Sequence, residues 1–506
     1  MLEKIKSVEE LIALRKEAVD RQQKVVLCHG TFDLLHTGHI RHLQAAKRAA
    51  DILIATLTAD EFVTKGPGRP VFNEKLRAGN LAALQCVDFV AIIRAKTAVE
   101  LLYQLKPDIY AKGSEFKDES IDVAGYISAE REVLQSYGGE ILLTDEVTFS
   151  STQLLNNHFD IFSAEVRLYL DEIKKYYTPS LVASELDRLK NLKVLVVGEA
   201  IIDEYHYTND LGQSGKSHTL VVQHKHTERF AGGSLAVANH IAGFCQQVEL
   251  LTVIGDWFDD ENFIRANLKS NVTPHFYYLD SKPTLTKARF VNGDMSKLFE
   301  VYYNGLEYLN EETEQQINGW LDKYLNQYDC VVVSDFGNGF ISRKMVERLV
   351  DKSRFLAVNT QINSGNRGFH VITRYPKANF ISLNEPEIRL AAHNRHDPIE
   401  EVAENIGEKL GVRYIAITQG ERGATYVDRV KQQSVVVPAL STQVVDRIGA
   451  GDAVLSITSI LLSCGVDLNV VGLLGNAAGA LKIKRVCNSH PIEMSDLIKY
   501  LKTLLS

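Results

Sequence analysis

Two short runs carry residues able to move phosphoryl groups. The first is His36-Thr-Gly-His39, at the end of His29-Gly-Thr-Phe-Asp-Leu-Leu-His36-Thr-Gly-His39. Two imidazoles three residues apart can donate hydrogen bonds to phosphate oxygens as charge grows on a breaking phosphoryl bond. The glycine between them lets a ligand approach the backbone. The second run is Asp446-Arg-Ile-Gly449-Ala450-Gly451-Asp452. Small residues ahead of a helix leave N–H groups to hold a phosphate in flight. A carboxylate at that turn, Asp452, can take the proton from an attacking hydroxyl. The bland alternative at each place is a helix cap; the strand–loop–helix context favours the chemical reading.

Further residues could serve these two runs. Lys65-Gly-Pro-Gly-Arg69 puts two cations on a Gly/Pro turn, where they can grip a triphosphate or merely face solvent. Ser150, Ser151 and Thr152 bring hydroxyls to a helix start. Asp203 stands just past a strand, placed to accept hydrogen bonds from sugar hydroxyls, and the pair Gly232-Gly233 permits close backbone approach. Asn384-Glu-Pro-Glu387 follows another strand, where Glu387 can organise Mg²⁺ through water. His218, His224 and His226 alternate along a strand, but no fourth ligand lies nearby, so a strand face is the better reading than zinc.

The elements that must hold these residues alternate in type. Residues 1–23 read as an amphipathic helix. Strands are expected over 24–28, 51–58, 87–93, 108–112 and 140–143, with helices between. This predicts an α/β fold with a parallel sheet, its ligands at the carboxyl ends of the strands. His36 and His39 follow the first strand and Lys112 ends the fourth. A second α/β unit opens at 193–198, with strands near 249–254, 330–334, 355–359, 380–383 and 414–418. Alternating segments at 205–207, 219–226 and 286–303 read as antiparallel excursions, a small β lid. The expected domains are 1–157, a helical connector over 158–192, and 193–506.

Composition narrows the class. The 506 residues suggest about two to four domains. Hydrophobic content of 45% with 24% charged residues is that of a globular protein. The net charge of −8 implies no general affinity for nucleic acid or anionic membranes. The six cysteines form no C-x-x-C pair, and the first residues lack the pattern of a signal peptide, so a cytoplasmic location is expected.

On these motifs the N-terminal half resembles the H-x-G-H nucleotidyltransferase (cytidylyltransferase-like) superfamily, a Rossmann-like fold. Lys65-Gly-Pro-Gly-Arg-Pro-Val, Ala111-Lys-Gly-Ser-Glu-Phe116 and Ser150-Ser-Thr152 resemble the adenylyltransferase domain of bacterial heptose-phosphate enzymes. The resemblance implies attack by a sugar phosphate on the α-phosphate of a nucleoside triphosphate. It implies phosphate stabilisation by His36 and His39, and nucleotide binding by Thr31, Phe32, Lys65, Lys112, Ser150, Ser151 and Thr152. The opening also resembles glycerol-phosphate cytidylyltransferases. Their Arg-Thr-x-x-Ile-Ser-Thr-Thr run is replaced by Glu146-Val-Thr-Phe-Ser-Ser-Thr, which favours ATP over CTP.

The C-terminal half resembles the ribokinase (PfkB) family over roughly 193–501, and within it the heptose-7-phosphate kinase branch. The resemblance implies a ribokinase-like α/β domain with Asp452 as catalytic base and Gly449, Ala450 and Gly451 as anion hole. It places Asn384, Glu387, Thr418 and Gly420 on the nucleotide, and Asp203, Gly232, Gly233, Lys287 and Arg289 on the sugar. Three positions depart from the family pattern: Arg447 replaces a Thr, Ala236 a sugar-binding Asn, and Asn338 a Lys.

The expected protein is therefore bifunctional. A kinase phosphorylates a heptose-like sugar or sugar phosphate, and a nucleotidyltransferase couples the sugar 1-phosphate to a nucleotide. Relative to the known heptose pair, the domain order is reversed. The alternative is a CTP-dependent polyol-phosphate cytidylyltransferase with an inactive kinase domain acting as nucleotide-binding regulator. Mg²⁺ and ATP are expected, with CTP as the alternative nucleotide and a monovalent cation as accessory to the kinase. The expected partners are small molecules and a second copy of the chain, as a homodimer.

Overall fold

The computed structural model describes residues 2–63, 69–113, 126–144, 162–304, 308–441 and 444–505. Lys65, Ser150, Ser151 and Thr152 lie outside them, as does the first part of the expected connector. The chain divides into two compact units. One is residues 1–163 with a few residues of the last helix; the other runs from Ala164 to Ile498 with Leu505.

The first unit holds five parallel strands: β1 (Val25–Gly30), β2 (Ile52–Thr58), β3 (Phe89–Ile93), β4 (Ile109–Gly113) and β5 (Glu140–Thr144), in the order β3-β2-β1-β4-β5. Because side chains alternate across a strand, β1 feeds two cores at once. Val26 and Cys28 pack with Leu43 and Ala46 of the helix Thr37–Arg48, while Val25 and Leu27 pack with Leu11 and Leu102 on the other face. The order of strands reverses at β1 and β4, so a crevice opens there at their carboxyl ends. The N-terminal helix is shorter than expected, Val8–Asp20, because Ser7 and Glu10 form a capping box that sets its start.

Arg77 ties the loops at that edge together. Its guanidinium is fully buried and donates to the carbonyls of Thr31 (2.6 Å), Thr58 (2.8 Å) and Phe72 (2.9 Å), and to Asp60. Asp33, also buried, accepts the N–H groups of Val71 and Phe72 and pairs with Arg69. The loops after β1 and β2 and the approach to the helix Glu74–Ala82 are thus held by one fork-shaped donor.

The second unit holds two sheets. The larger has nine strands: β6 (Lys193–Gly198), β9 (Gln247–Gly255), β10 (Val272–Leu279), β13 (Cys330–Asp335), β14 (Leu356–Thr360), β15 (Phe380–Asn384), β16 (Tyr414–Thr418), β17 (Ala424–Asp428) and β18 (Gln433–Val437). Their order is β10-β9-β6-β13-β14-β15-β16-β17-β18, and only the last two pair antiparallel. The smaller has β7 (Ala200–Gln213), β8 (Leu220–Gly233), β11 (Thr286–Val291) and β12 (Lys297–Tyr303), in the order β12-β11-β7-β8. This is the expected lid. The strands β17 and β18 were not foreseen, and the helices Ala164–Ile173 and Pro179–Asp187, read as connector, group with this unit.

Losing the Arg77 fork leaves several buried carbonyls without donors. Arg77→Lys is expected to destabilise the first unit by about 2–4 kcal/mol, read as lost hydrogen-exchange protection in β1–β3.

Candidate active sites

In the first unit, His36 caps the helix Thr37–Arg48: its Nδ1 accepts the N–H of Gly38 at 3.1 Å. Burial lowers the His36 pKa, so the ring is neutral near pH 7 with its proton on Nε2. His39, one turn on, stacks against it with ring centroids 4.0 Å apart. Phe32 holds a left-handed backbone (φ 48°), is buried, and sets its ring edge-on to His39. The Thr31 carbonyl is taken by Arg77. Phe32 and Thr31 therefore shape the loop under the histidines. Lys112, at the far side of the crevice, pairs with the buried Glu130 at 3.0 Å and lies over the Tyr110 ring.

Sequence reasoning missed the polar layer beside this crevice. His29 meets Thr56 and Thr58, and His42 meets Thr144 at 2.7 Å. Burial pushes the His29 pKa down to about 4, keeping it neutral. The β1–β2 register sets His29 beside Thr56, and helix packing brings His42 to Thr144 at the end of β5.

In the second unit a cleft of about 930 Å³ runs from the lid to β16–β17. Gly449 (φ 81°) starts the helix Ala450–Ser463, and Asp452 sits in its first turn, buried. Gln361 Nε2 donates to Asp452 Oδ1 at 3.1 Å. Burial, reinforced by Asp203, raises the Asp452 pKa to about 6 against the pull of Lys482 and Lys287. That places a base near neutrality at the helix start.

One end of the cleft is built by the lid. Asp203 on β7 pairs with Arg289 on β11, and Arg289 also meets Glu300 at 3.0 Å. A Cβ on Gly232 would come within 2.0 Å of Asp203 Oδ2, so glycine is needed there to leave room for that carboxylate. Lys287, on the same face of β11 as Arg289, lies over the rings of Phe336 and Tyr302. Among the described residues no carboxylate is within ion-pair distance of its Nζ. Gly233 lines the same end of the cleft.

The other end of the cleft gathers Asn384, Glu387, Thr418 and Gly420, from their places after β15 and β16. Asn384 and Glu387 form a capping box, and the Glu387 oxygens accept the N–H groups of Asn384 and Ile362. Burial, with a smaller push from Asp452, raises the Glu387 pKa to about 7. A buried acid that holds only N–H groups fits a hydrated cation brought in on phosphates better than direct metal ligation.

The departures have plain places. Arg447 pairs with Glu421 at 2.6 Å, both exposed at the rim of the cleft. Ala236 is buried in the helix Ser234–Ala242. Asn338 donates its N–H to Glu199. Glu199, passed over in the motif next to Gly198, also accepts the Phe336 N–H, and burial with Asp335 nearby raises its pKa to about 7. His224 and His226 meet Thr227 and the Tyr207 ring.

A buried base at a helix start, with a basic lid on one side and a capped acid on the other, is suited to moving a phosphoryl group onto a hydroxyl. Residues 191–493, more than half of the chain, match the pfkB family carbohydrate kinase model, and the chain belongs to that family. Residues 27–230 match the cytidylyltransferase-like model. The chain thus carries both kinds of region. The bifunctional protein HldE of Syntrophotalea carbinolica is 40% identical over 134 residues, 26% of this chain and 26% of that one. That of Koribacter versatilis is 28% identical over 336 residues, 63% of this chain and 66% of its own. The match thus spans about a quarter of the first relative's length. Phosphofructokinase-2 of Escherichia coli, solved with fructose-6-phosphate, shares the fold with a TM-score of 0.50 and 15% identity, over 61% of this chain and 98% of that one. No helix among the described residues is long and apolar enough to cross a membrane.

Three outcomes follow from this geometry. Gly232→Ala displaces Asp203 and should raise the KM for the sugar at least ~10-fold, with the KM for ATP little changed. The Asp452 pKa lies above its unfolded value of 3.8. Between those values the folded state keeps a proton that the unfolded state has lost, so stability falls as pH rises to about 6 and is then level. Asp452→Asn should therefore unfold later at pH 7–8, by on the order of 2 kcal/mol, and show no gain below pH 4. The wild-type kinase rate should fall about tenfold per pH unit below about 6.

Proposed function

We propose that the chain makes a nucleotide-activated sugar in two steps, as a bifunctional heptose-phosphate kinase and adenylyltransferase. In the second unit, Asp452 takes the proton of the anomeric hydroxyl. The oxygen attacks the γ-phosphorus of ATP, the bond to ADP breaks, and the N–H groups of Gly449–Gly451 hold the phosphoryl oxygens in transit. Mg²⁺, when bound, neutralises phosphate charge, and Asn384 and Glu387 would hold it through water. Lys287 faces the cleft without a carboxylate partner, which supports a substrate that already carries a phosphate.

In the first unit, the sugar 1-phosphate attacks the α-phosphorus of a second ATP and pyrophosphate leaves. His36 and His39 donate to the phosphate oxygens, with Lys65, Lys112, Ser150, Ser151 and Thr152 assigned to the nucleotide. The assignment of a homodimer rests on exposed apolar residues of the lid, such as Leu211, Leu220 and Tyr303, and that of a cytoplasmic location on the scattered cysteines.

The observation that carries the reading is the buried Asp452, raised to about 6, facing the Asp203–Arg289 pair across one cleft. One incubation tests it: full-length protein, ATP and CTP, and a panel of heptose and hexose phosphates, read by mass spectrometry. The expected product is an adenosine-diphosphate sugar. Asp452→Asn should stop the first step by ~10³-fold or more and spare pyrophosphate release from supplied sugar 1-phosphate, and His39→Ala should do the reverse. A cytidine product alone, with no consumption of ATP, would sink the reading.

A further inference from the structure

Lys482 closes the helix Leu468–Lys482 and is fully buried. A lysine in a last helical turn ordinarily reaches solvent or its own helix's carbonyls. Here Nζ donates instead to the carbonyl of Ile448, at 3.0 Å, and to that of Cys487. These oxygens belong to two separate segments: Ile448 precedes Gly449 in the phosphate turn, and Cys487 lies beyond the end of the lysine's own helix. Asp446 joins the same two segments, its carboxylate accepting the N–H groups of Ile448 (3.2 Å) and Cys487 (2.9 Å). A Cβ on Gly449 would meet Lys482 Cε at 2.9 Å and Asn488 Oδ1 at 2.4 Å, so the lysine stem packs directly behind the turn. Asn488 Oδ1 has no hydrogen-bond partner among the described residues.

Burial pulls the Lys482 pKa down, and Asp446 and Asp452 oppose it. The charge is therefore felt at the base. Carbonyl oxygens converging on one point are the ligands that collect alkali ions.

We propose that Lys482 is a tethered cation for the phosphoryl-transfer turn. Its ammonium fills the cradle of the Ile448 and Cys487 carbonyls, keeps the N–H groups of Gly449–Gly451 aimed into the cleft, and takes the place of an alkali ion. It is a positioning residue, since it acts through the turn. The inference rests on the phosphoryl-transfer turn and not on the identity of the sugar.

Two readouts test it on the full chain. Wild-type protein should melt at the same temperature in potassium, sodium and tetramethylammonium chloride of equal ionic strength. Lys482→Ala should gain a stabilisation specific to potassium or ammonium. Its kcat for sugar phosphorylation should fall roughly 100-fold with the KM for ATP nearly unchanged, and potassium, ammonium or methylammonium should restore part of it. Lys482→Met, which fills the space without charge, should show neither rescue. A potassium-specific rise in wild-type melting temperature or rate overturns the proposal, as does a Lys482→Ala enzyme within about threefold of wild-type kcat. Should the alanine variant fail to fold, the wild-type cation response and the methionine variant still decide. Should no sugar be phosphorylated, the functional reading fails while the melting experiment continues to judge Lys482.

Discussion

The first N–H groups of an α-helix have no partner within the helix, and both units of this protein are built around that fact. In the first, the buried parallel strand β1 delivers the chain to the helix Thr37–Arg48; in the second, the chain reaches the helix Ala450–Ser463 beyond the antiparallel strand β18. In the first unit one such N–H, that of Gly38, is answered by His36 Nδ1, which fixes the tautomer of the ring. In the second the turn carries no side-chain cap at Gly449, and the left-handed backbone there keeps the donors turned toward the cleft. One orphan group orients the His36 imidazole; at Gly449 no side-chain cap takes up the others.

Around the second turn, burial sets the charges of similar side chains apart. Asp335, fully buried, is held below the usual carboxylate range against the upward push of desolvation, because His370, Arg374 and Tyr375 surround it. Glu199 beside it receives only N–H groups and rises to about 7. Asp203 spends one oxygen on Arg289, while Asp452 has only Gln361 as a direct donor and rises to about 6. Environment alone separates structural anion from base. Glu199 in turn accepts the Phe336 N–H, and Lys287 lies over the Phe336 ring, so a carboxyl passed over beside Gly198 shapes the lid end of the cleft.

Much of this was readable in advance because it is local. Strand-sized apolar runs before Gly-bearing turns, followed by helical stretches, announced both α/β units and both phosphate turns. The alternating segments announced the lid. Less legible were β17 and β18, five-residue strands that pair antiparallel at one end of the large sheet. The cleft residues that the reading passed over share a different trait. Gln361, Glu199 and Lys482 lie far in sequence from the atoms they serve, as does Arg77 for Thr31.

The sequence by itself determined which groups could do chemistry, His36, His39 and Asp452, and that each stands at a helix start. Those are properties of neighbours along the chain, governed by backbone hydrogen bonding and side-chain period. The tertiary structure decided what state those groups are in and what holds them. The raised pKa of Asp452, the pairing of Asp203 with Arg289, and the seating of Lys482 behind Gly449 come from segments brought together by sheet pairing and helix packing. Desolvation and charge proximity have no counterpart in local sequence, so they become visible only once the chain is folded.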